Sequence, residues 1–336
     1  MISIERMDIN QVPWDKLDRF EDRTIFQTLP WLKFVAATQR AEPVVAAIKE
    51  NGHTIGYFTG LIIRKFGLKI FGSPFEGWTT AYMGFNLPHG SSRREVLKPA
   101  LSFAFQDLKC HHIEMCDRYI CEDDCKNLSF FVKYHSGYEI DLTKSEDELF
   151  ANVESSCRRC IRKAHKCGVV IEEASDMNFA SDYYEQHKDV AAKHLLVPTF
   201  GIDRVQALIK YLQPTGHLLL LRAKSPEGIC IATGIFPAFN GTMYFWGGAS
   251  WRKYQILRPN EALMWYAMRH WKAHGMKKFD MGGRGDYKKK YGGYEIRVRR
   301  LIKSRYGFLT VLRNLAHRAF KIRQKMLGQV MRRKRG

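Results

Sequence analysis

TMYFWGGAS (242–250), WRKYQILRP (251–259) and NEALMWYAMRHWKAHG (260–275), followed after Met276 by KKFDMGG (277–283), read in order as strand, polar loop, helix and strand. Asn240-Gly241 just ahead is a hairpin signal, Pro259 suits the first turn of the helix, and Gly282-Gly283 ends the last strand. The helix begins with free backbone N–H groups, and Arg252, Lys253 and Arg258 lie just before it with Asn260 in its first turn. That combination suits a phosphate or carboxylate. Tyr244 and Trp246 alternate with Phe245 and share one strand face, where they either line an acceptor pocket or pack into the core.

Working outward, strands are expected over His217–Ala223 and Gly228–Phe239 and helices over Met177–His194 and Asp203–Leu212. Ser145–Lys166 reads as largely helical, opened by a Ser145/Glu148 capping box. Further back, Val44–Glu50 and Thr54–Lys65 form a hairpin about Asn51-Gly52. Gly67–Gly72 and Trp78–Phe85 are shorter strands, Ser91–Lys109 is helical and His112–Cys116 is a strand. IGYFTG (55–60) is echoed by ICIATG (229–234), each after a strand and turn and before further strands, a helix and a strand. The repeated order points to two related α/β units with a boundary near 140–145. We therefore expect domains at 1–142 and 143–305, with a basic amphipathic helix or tail at 306–336.

The 336 residues are 45% apolar and 26% charged, which excludes a disordered or low-complexity chain. The best apolar run, Ile229–Phe239, is 11 residues long and contains Gly234 and Pro237, too short to span a bilayer. No export signal opens the sequence, so a cytoplasmic location is expected and the eight cysteines read as reduced thiols. Only Cys157–Cys160 has the tight spacing of a zinc pair, and it falls in a helical pattern, so no metal is expected. The charge is regional: of a net +20, residues 284–336 hold 18 basic side chains against Asp286 and Glu295. Such a segment implies a polyanionic partner: a phosphorylated substrate, a nucleic acid or an anionic membrane surface. Apolar residues at helical spacing over 308–331 fit a helix lying on the inner face of the plasma membrane, or one docked on its own protein.

FDMGG (279–283) followed by Tyr287-Lys288-Lys289-Lys290-Tyr291-Gly292 resembles the FemAB family pattern, a Gly-rich strand end followed by F-K-x-x-F-G. Arg158-Arg159-Cys160-Ile161-Arg162-Lys163-Ala164, continuing to Gly168-Val169, is similar to that family's helix-to-strand passage. The strand–loop–helix–strand order also resembles the acyl-donor half of GNAT-type acyltransferases. The resemblance implies an α/β (α+β) fold of two tandem GNAT-like domains, each a mixed, mostly antiparallel sheet flanked by helices. It implies N-acyl transfer to a phosphorylated or lipid-linked glycan or peptidoglycan precursor, from acyl-CoA as in exopolysaccharide-associated relatives or from aminoacyl-tRNA. WRKYQILRP lacks the Q/R-x-x-G-x-G/A loop of simple GNAT domains, and no coiled-coil arm of the tRNA-using members is evident.

Amine attack on an ester or thioester builds an oxyanion and releases a proton. Lys288 occupies the family's lysine position and is assigned to stabilise that oxyanion or a donor phosphate, with Tyr287 beside it. Glu76, in SPFEGW, is the best candidate base; Asp280 more simply caps the following Gly turn. Arg158, with Arg162 and Lys193, is a candidate for a substrate phosphate. No nucleophile triad is present, in keeping with direct transfer. The competing readings are a non-enzymatic nucleic-acid-binding protein, for which no recognition signature stands out, and an inactive scaffold; DNA is not expected as a partner.

Overall fold

A computed structural model describes residues 1–283 and 285–333; Arg284 and residues 334–336, part of the basic run above, lie outside the described residues. In chain order the elements are β1 (Ile2–Arg6), α1 (Trp14–Leu17), α2 (Leu29–Gln39), β2 (Glu42–Glu50), β3 (His53–Lys65), β4 (Leu68–Ser73), β5 (Gly84–Asn86), α3 (Arg94–Ser102), β6 (His112–Cys116) and β7 (Phe131–Asp141). They continue with α4 (Glu146–Asn152), α5 (Ser155–Lys166), β8 (Val170–Glu173), α6 (Phe179–Lys193), α7 (Ile202–Leu212), β9 (Leu218–Lys224), β10 (Cys230–Phe239), β11 (Thr242–Tyr244) and β12 (Gly247–Ser250). The last are α8 (Pro259–Ala273), β13 (Lys278–Gly283), β14 (Tyr294–Ser304) and α9 (Gly307–Arg333). The chain divides into two compact units, Met1–Ser136 with Arg297–Leu315, and Gly137–Ile296 with Ala316–Gly336.

In the first unit, Asn51 and Gly52 adopt left-handed backbone (φ 49° and 84°) and close the β2–β3 hairpin. β1 extends the sheet beside β2, and β4 pairs antiparallel with β3. β4 and β6 are parallel (Ile70↔His112 to Ser73↔Met115), so the chain must cross between them by a helix, here α3 continued by a π-helical turn over Phe103–Asp107. Phe58, Phe71, Phe85 and Phe103 fill the core beneath Val96, Leu97 and Ala100 of α3.

The second unit repeats this order. β9 and β10 form a hairpin, Asn240 and Gly241 (φ 48° and 73°) turn β10 into β11, and β11 runs parallel to β13 with α8 as the crossover. β13 pairs on its other side with Gly137–Asp141 of β7, and β8 lies beside β9. Cys157, Ile161 and Ala164 of α5 join Leu263, Ala267, Met268 and Trp271 of α8 over one face of the sheet. Thr233, out of phase with Phe236 and Ala238 in that core, donates to Gln186 of α6 (2.8 Å), which places α6 on the other face. The echoed hexapeptides fall on the second strand of each hairpin, and the fold is the expected tandem α/β arrangement.

Several expected elements differ. Thr242–Ser250 is not one strand: it breaks at Phe245-Trp246, because β11 is held by β13 while β12 pairs with β10. Of Trp78–Phe85 only Gly84-Phe85, with Asn86, is strand. Ser145–Lys166 has the capping box at Ser145 and Glu148 but breaks at Val153-Glu154. The linear division at 142/143 and 305/306 places all of β14 in the second domain. Instead, Arg300–Ser304 of β14 pair antiparallel with β6, and Arg297–Leu315 belong to the first unit.

Candidate active site

The site grows from the break in the fourth strand of the second unit. The β11–β13 pairing ends at Tyr244↔Asp280, followed by one more bond from the Phe245 N–H to the Asp280 carbonyl (2.9 Å). From there β12 follows β10, and β13 bends toward β7 through an irregular register between Asp280 and Gly283. The two parallel strands therefore diverge, and Met281–Gly283 present carbonyls at the fork. Glycine is required at this bend: Gly282 is left-handed (φ 72°), and a Cβ on Gly137 would come within 2.5 Å of the Gly282 carbonyl oxygen. Asp280 accepts from the Gly282 N–H (2.7 Å), the capping role its position suggested.

Lys288 reaches this fork from a 3₁₀ turn over Asp286–Tyr291. Its Nζ donates to the Met281 carbonyl (2.6 Å) and the Gly283 carbonyl (2.7 Å), and it lies 5.8 Å from the Phe245 ring centre and 5.9 Å from that of Tyr287. An ammonium carries three protons, and these two carbonyls take two of them. The side chain is buried, and burial lowers its pKa to about 8, with the Asp280 charge pulling the other way. The turn is held on both sides: the Glu154 N–H donates to the Lys290 carbonyl (2.9 Å), and Lys290 Nζ bonds Glu261 of α8 (2.7 Å). The exposed Tyr287 sits on the outer side of the turn.

Beside the fork, on the α6 face, lies a group of rings that sequence reasoning found only through Trp246. The Tyr183 hydroxyl abuts Gly247, where a Cβ would come within 2.5 Å of it. The His187 ring stacks on Tyr183 (5.7 Å, 13°) and on Phe200 (5.1 Å, 14°), and Trp246 lies 5.8 Å from Phe200 and 6.3 Å from Tyr183. Arg204 covers the Phe200 ring at 5.1 Å. Burial raises the Tyr183 pKa and lowers those of His187 and Arg204, the last partly restored by Asp203. His187 is therefore a neutral imidazole at neutral pH. Its signal was faint: Tyr183 and His187 are one helical turn apart in a polar helix.

Tyr244 is buried in β11 opposite Asp280. Arg252, Lys253 and Arg258 are exposed around the short helical turn leading to α8, Lys253 lying over Tyr254 at 4.9 Å. The N-terminus of α8 is a poorer backbone cradle than expected. Pro259 has no N–H, the Asn260 side chain donates to Ser250 Oγ (3.1 Å), and Glu261 sets a carboxylate in the first turn. The positive charge there is that of the three exposed cationic side chains. Arg158 donates through Nη1 to the Ala151 (2.5 Å) and Val153 (2.8 Å) carbonyls. Glu76 belongs to the first unit, where it accepts from Lys133 (3.1 Å) and Arg313 (2.8 Å). Burial alone would raise its pKa, but those two cations outweigh it and lower it, which makes Glu76 a poor proton acceptor. Among the described residues, no cluster of three His, Cys, Asp or Glu side chains could hold a metal ion.

The parallel pair β11–β13, its crossover helix α8 and the fork beyond Tyr244 give the second unit its architecture. Residues 151–291 match the acetyltransferase (GNAT) domain family, so the second unit carries an acyltransferase domain of the GNAT type. Among solved structures, that of FemX shares the fold with a TM-score of 0.71 at 17% identity, covering 88% of this chain and 96% of that one. The structure of L-PGS from Bacillus licheniformis follows with 0.56 at 12% (92% and 96%). A tandem GNAT protein from the clavulanic acid biosynthesis pathway, solved without AcCoA, gives 0.56 at 9% (90% and 98%). At such identities the likeness speaks for a FemAB-like tandem GNAT fold, not for a shared substrate. No curated protein matches the sequence.

Proposed function

We propose that the protein transfers an acyl group directly onto an amine of a phosphorylated or lipid-linked cell-envelope glycan or peptidoglycan precursor. The observation that carries this reading is Lys288, buried at the strand fork of an acyltransferase domain and bonded through its ammonium, among the described residues, to two carbonyls only. The amine nitrogen attacks the donor carbonyl carbon, and Lys288 stabilises the oxyanion as that carbon becomes tetrahedral. Collapse breaks the carbonyl–sulfur or carbonyl–oxygen bond and forms the amide. The proton lost by the amine passes to the neutral His187 imidazole and from there to the leaving thiolate or alkoxide. Tyr244, Trp246 and the rings beside them line the acceptor side; Arg252, Lys253 and Arg258 face the donor phosphates, with Tyr287 at the mouth.

Acyl-CoA is the donor we infer, and aminoacyl-tRNA is the second reading. The start of α8 favours neither through its backbone, but its three exposed cations suit the phosphates of either donor. A thermal-shift series separates them, because a bound donor stabilises the fold by mass action, by about 2.7 kcal/mol at a hundredfold excess over Kd. Acetyl- or longer acyl-CoA is expected to raise Tm while uncharged tRNA leaves it unchanged. A rise with aminoacyl-tRNA alone moves the assignment to that donor, and no rise with either overturns the donor site. His187→Ala is expected to slow transfer about 100-fold while the donor KM stays within a factor of a few. An unchanged rate removes His187 from the proton path.

A further inference from the structure

The helix α9 turns its apolar side to solvent. At 3.6 residues per turn, Phe308, Val311, Leu312, Leu315, Ile322 and Met326 fall within an arc of roughly 100°. Each is half or more exposed, and the exposed Ala319 completes the stripe. The first two turns of the helix are fixed by another side. Leu309 is buried, and Arg313 donates through Nε to Glu114 (2.7 Å) and through Nη2 to Glu76 (2.8 Å), both in the first unit. Ser304 and Thr310 share a hydrogen bond (3.0 Å) at the helix start. The latch is robust to acid: burial alone would raise the Glu114 pKa, but hydrogen bonding from His112 and the Arg313 charge hold it at about 2.

A docked helix normally buries its apolar stripe, so an outward stripe needs an occupant. The sequence of 307–333 has seven Lys and Arg residues and no acid, and Arg318 and Arg323, on either side of the stripe, are exposed. Positive charge of that density repels a second copy of the same helix, and a nucleic acid would leave the apolar arc in water. An anionic bilayer satisfies both halves of the pattern. It takes apolar side chains into the acyl boundary, and it attracts each basic residue near the surface.

We infer that α9 is a membrane-docking helix that seats the enzyme on anionic lipid through the face opposite its Arg313 latch. This deepens the envelope-precursor reading by naming the surface on which such a substrate is presented, yet it rests on the helix geometry alone.

The test is flotation of the full-length protein with vesicles of phosphatidylcholine, with and without about 30% phosphatidylglycerol. The wild type is expected to float with the anionic vesicles and to be released by salt. Leu315→Asp combined with Ile322→Asp is expected to lower binding at least tenfold, and Arg318→Glu combined with Arg323→Glu to lower it on anionic vesicles only. Tm and acyl transfer to a soluble amine should stay unchanged in both variants, so the result does not depend on identifying the substrate. Binding that survives the Asp pair, or a dimer in light scattering that the Asp pair dissociates, overturns the inference.

Discussion

Replacing Lys288 with methionine is expected to lower kcat about 100- to 1,000-fold, the usual cost of removing one donor from a developing oxyanion. The loss should fall on kcat rather than on donor KM, because the charge Lys288 faces exists only in the transition state. Stability will fall as well. The Met281 and Gly283 carbonyls lose their partner, at about 1–3 kcal/mol for each that stays dry. Lys288→Gln separates the two effects, since an amide can still donate to a carbonyl but carries no charge. It should recover most of the Tm and little of the rate; recovery of both would reduce Lys288 to a strand clamp. The pKa gives a second signature. The folded protein releases the Lys288 proton near pH 8, whereas the unfolded chain keeps it to about 10.5. Between those values the unfolded state binds more protons, so stability rises with pH while the ammonium needed for catalysis disappears.

The second large effect is expected at Gly292, which ends the turn that carries Lys288. It is left-handed (φ 84°), and a Cβ there would lie 2.7 Å from the Asn152 carbonyl oxygen and 2.9 Å from the carbonyl carbon, both backbone atoms that cannot swing aside. Gly292→Ala meets the left-handed penalty, roughly 1–2 kcal/mol, and a steric clash on top of it. The loss of stability should exceed about 2 kcal/mol in chemical denaturation. Transfer should also drop, because the turn retreats from α4 and withdraws Lys288 from the carbonyls. Gly275 is the control: it is left-handed as well (φ 81°), but a Cβ there would meet no atom within 4 Å, so Gly275→Ala should show the backbone penalty alone. Equal losses at the two positions would contradict the packing argument.

What could be read from the sequence and what could not divide along physical lines. The hairpins at Asn51-Gly52 and Asn240-Gly241, α8 and the Ser145/Glu148 cap were legible because each depends on neighbours in the chain. The twin units were legible because the echoed hexapeptide lies on the same strand of each hairpin. The break after Tyr244 was not. Phe245 and Trp246 continue the alternation of a strand, and only the competing pairings with β13 and β10 divide it. The departure of β14 was hidden for a similar reason: YEIRVRRLIKS reads as a basic run, and its partner β6 lies almost two hundred residues away. Lys288 sits in a run of three lysines that looks like solvated surface, yet it alone is buried, because the tight 3₁₀ turn points it inward. The ring group of Tyr183, His187 and Phe200 gathers residues from two separate segments, and no spacing rule joins them. Glu76 was chosen for its Gly- and Pro-bounded loop, which says nothing of the two cations that hold it.

The most direct test of the central claim is the pH dependence of kcat with a saturating donor, compared between the wild type and Lys288→Arg. If the Lys288 ammonium carries the oxyanion, wild-type turnover declines above about pH 8 and the arginine variant, at whatever reduced rate, shows no such decline. The same decline in both proteins would contradict it.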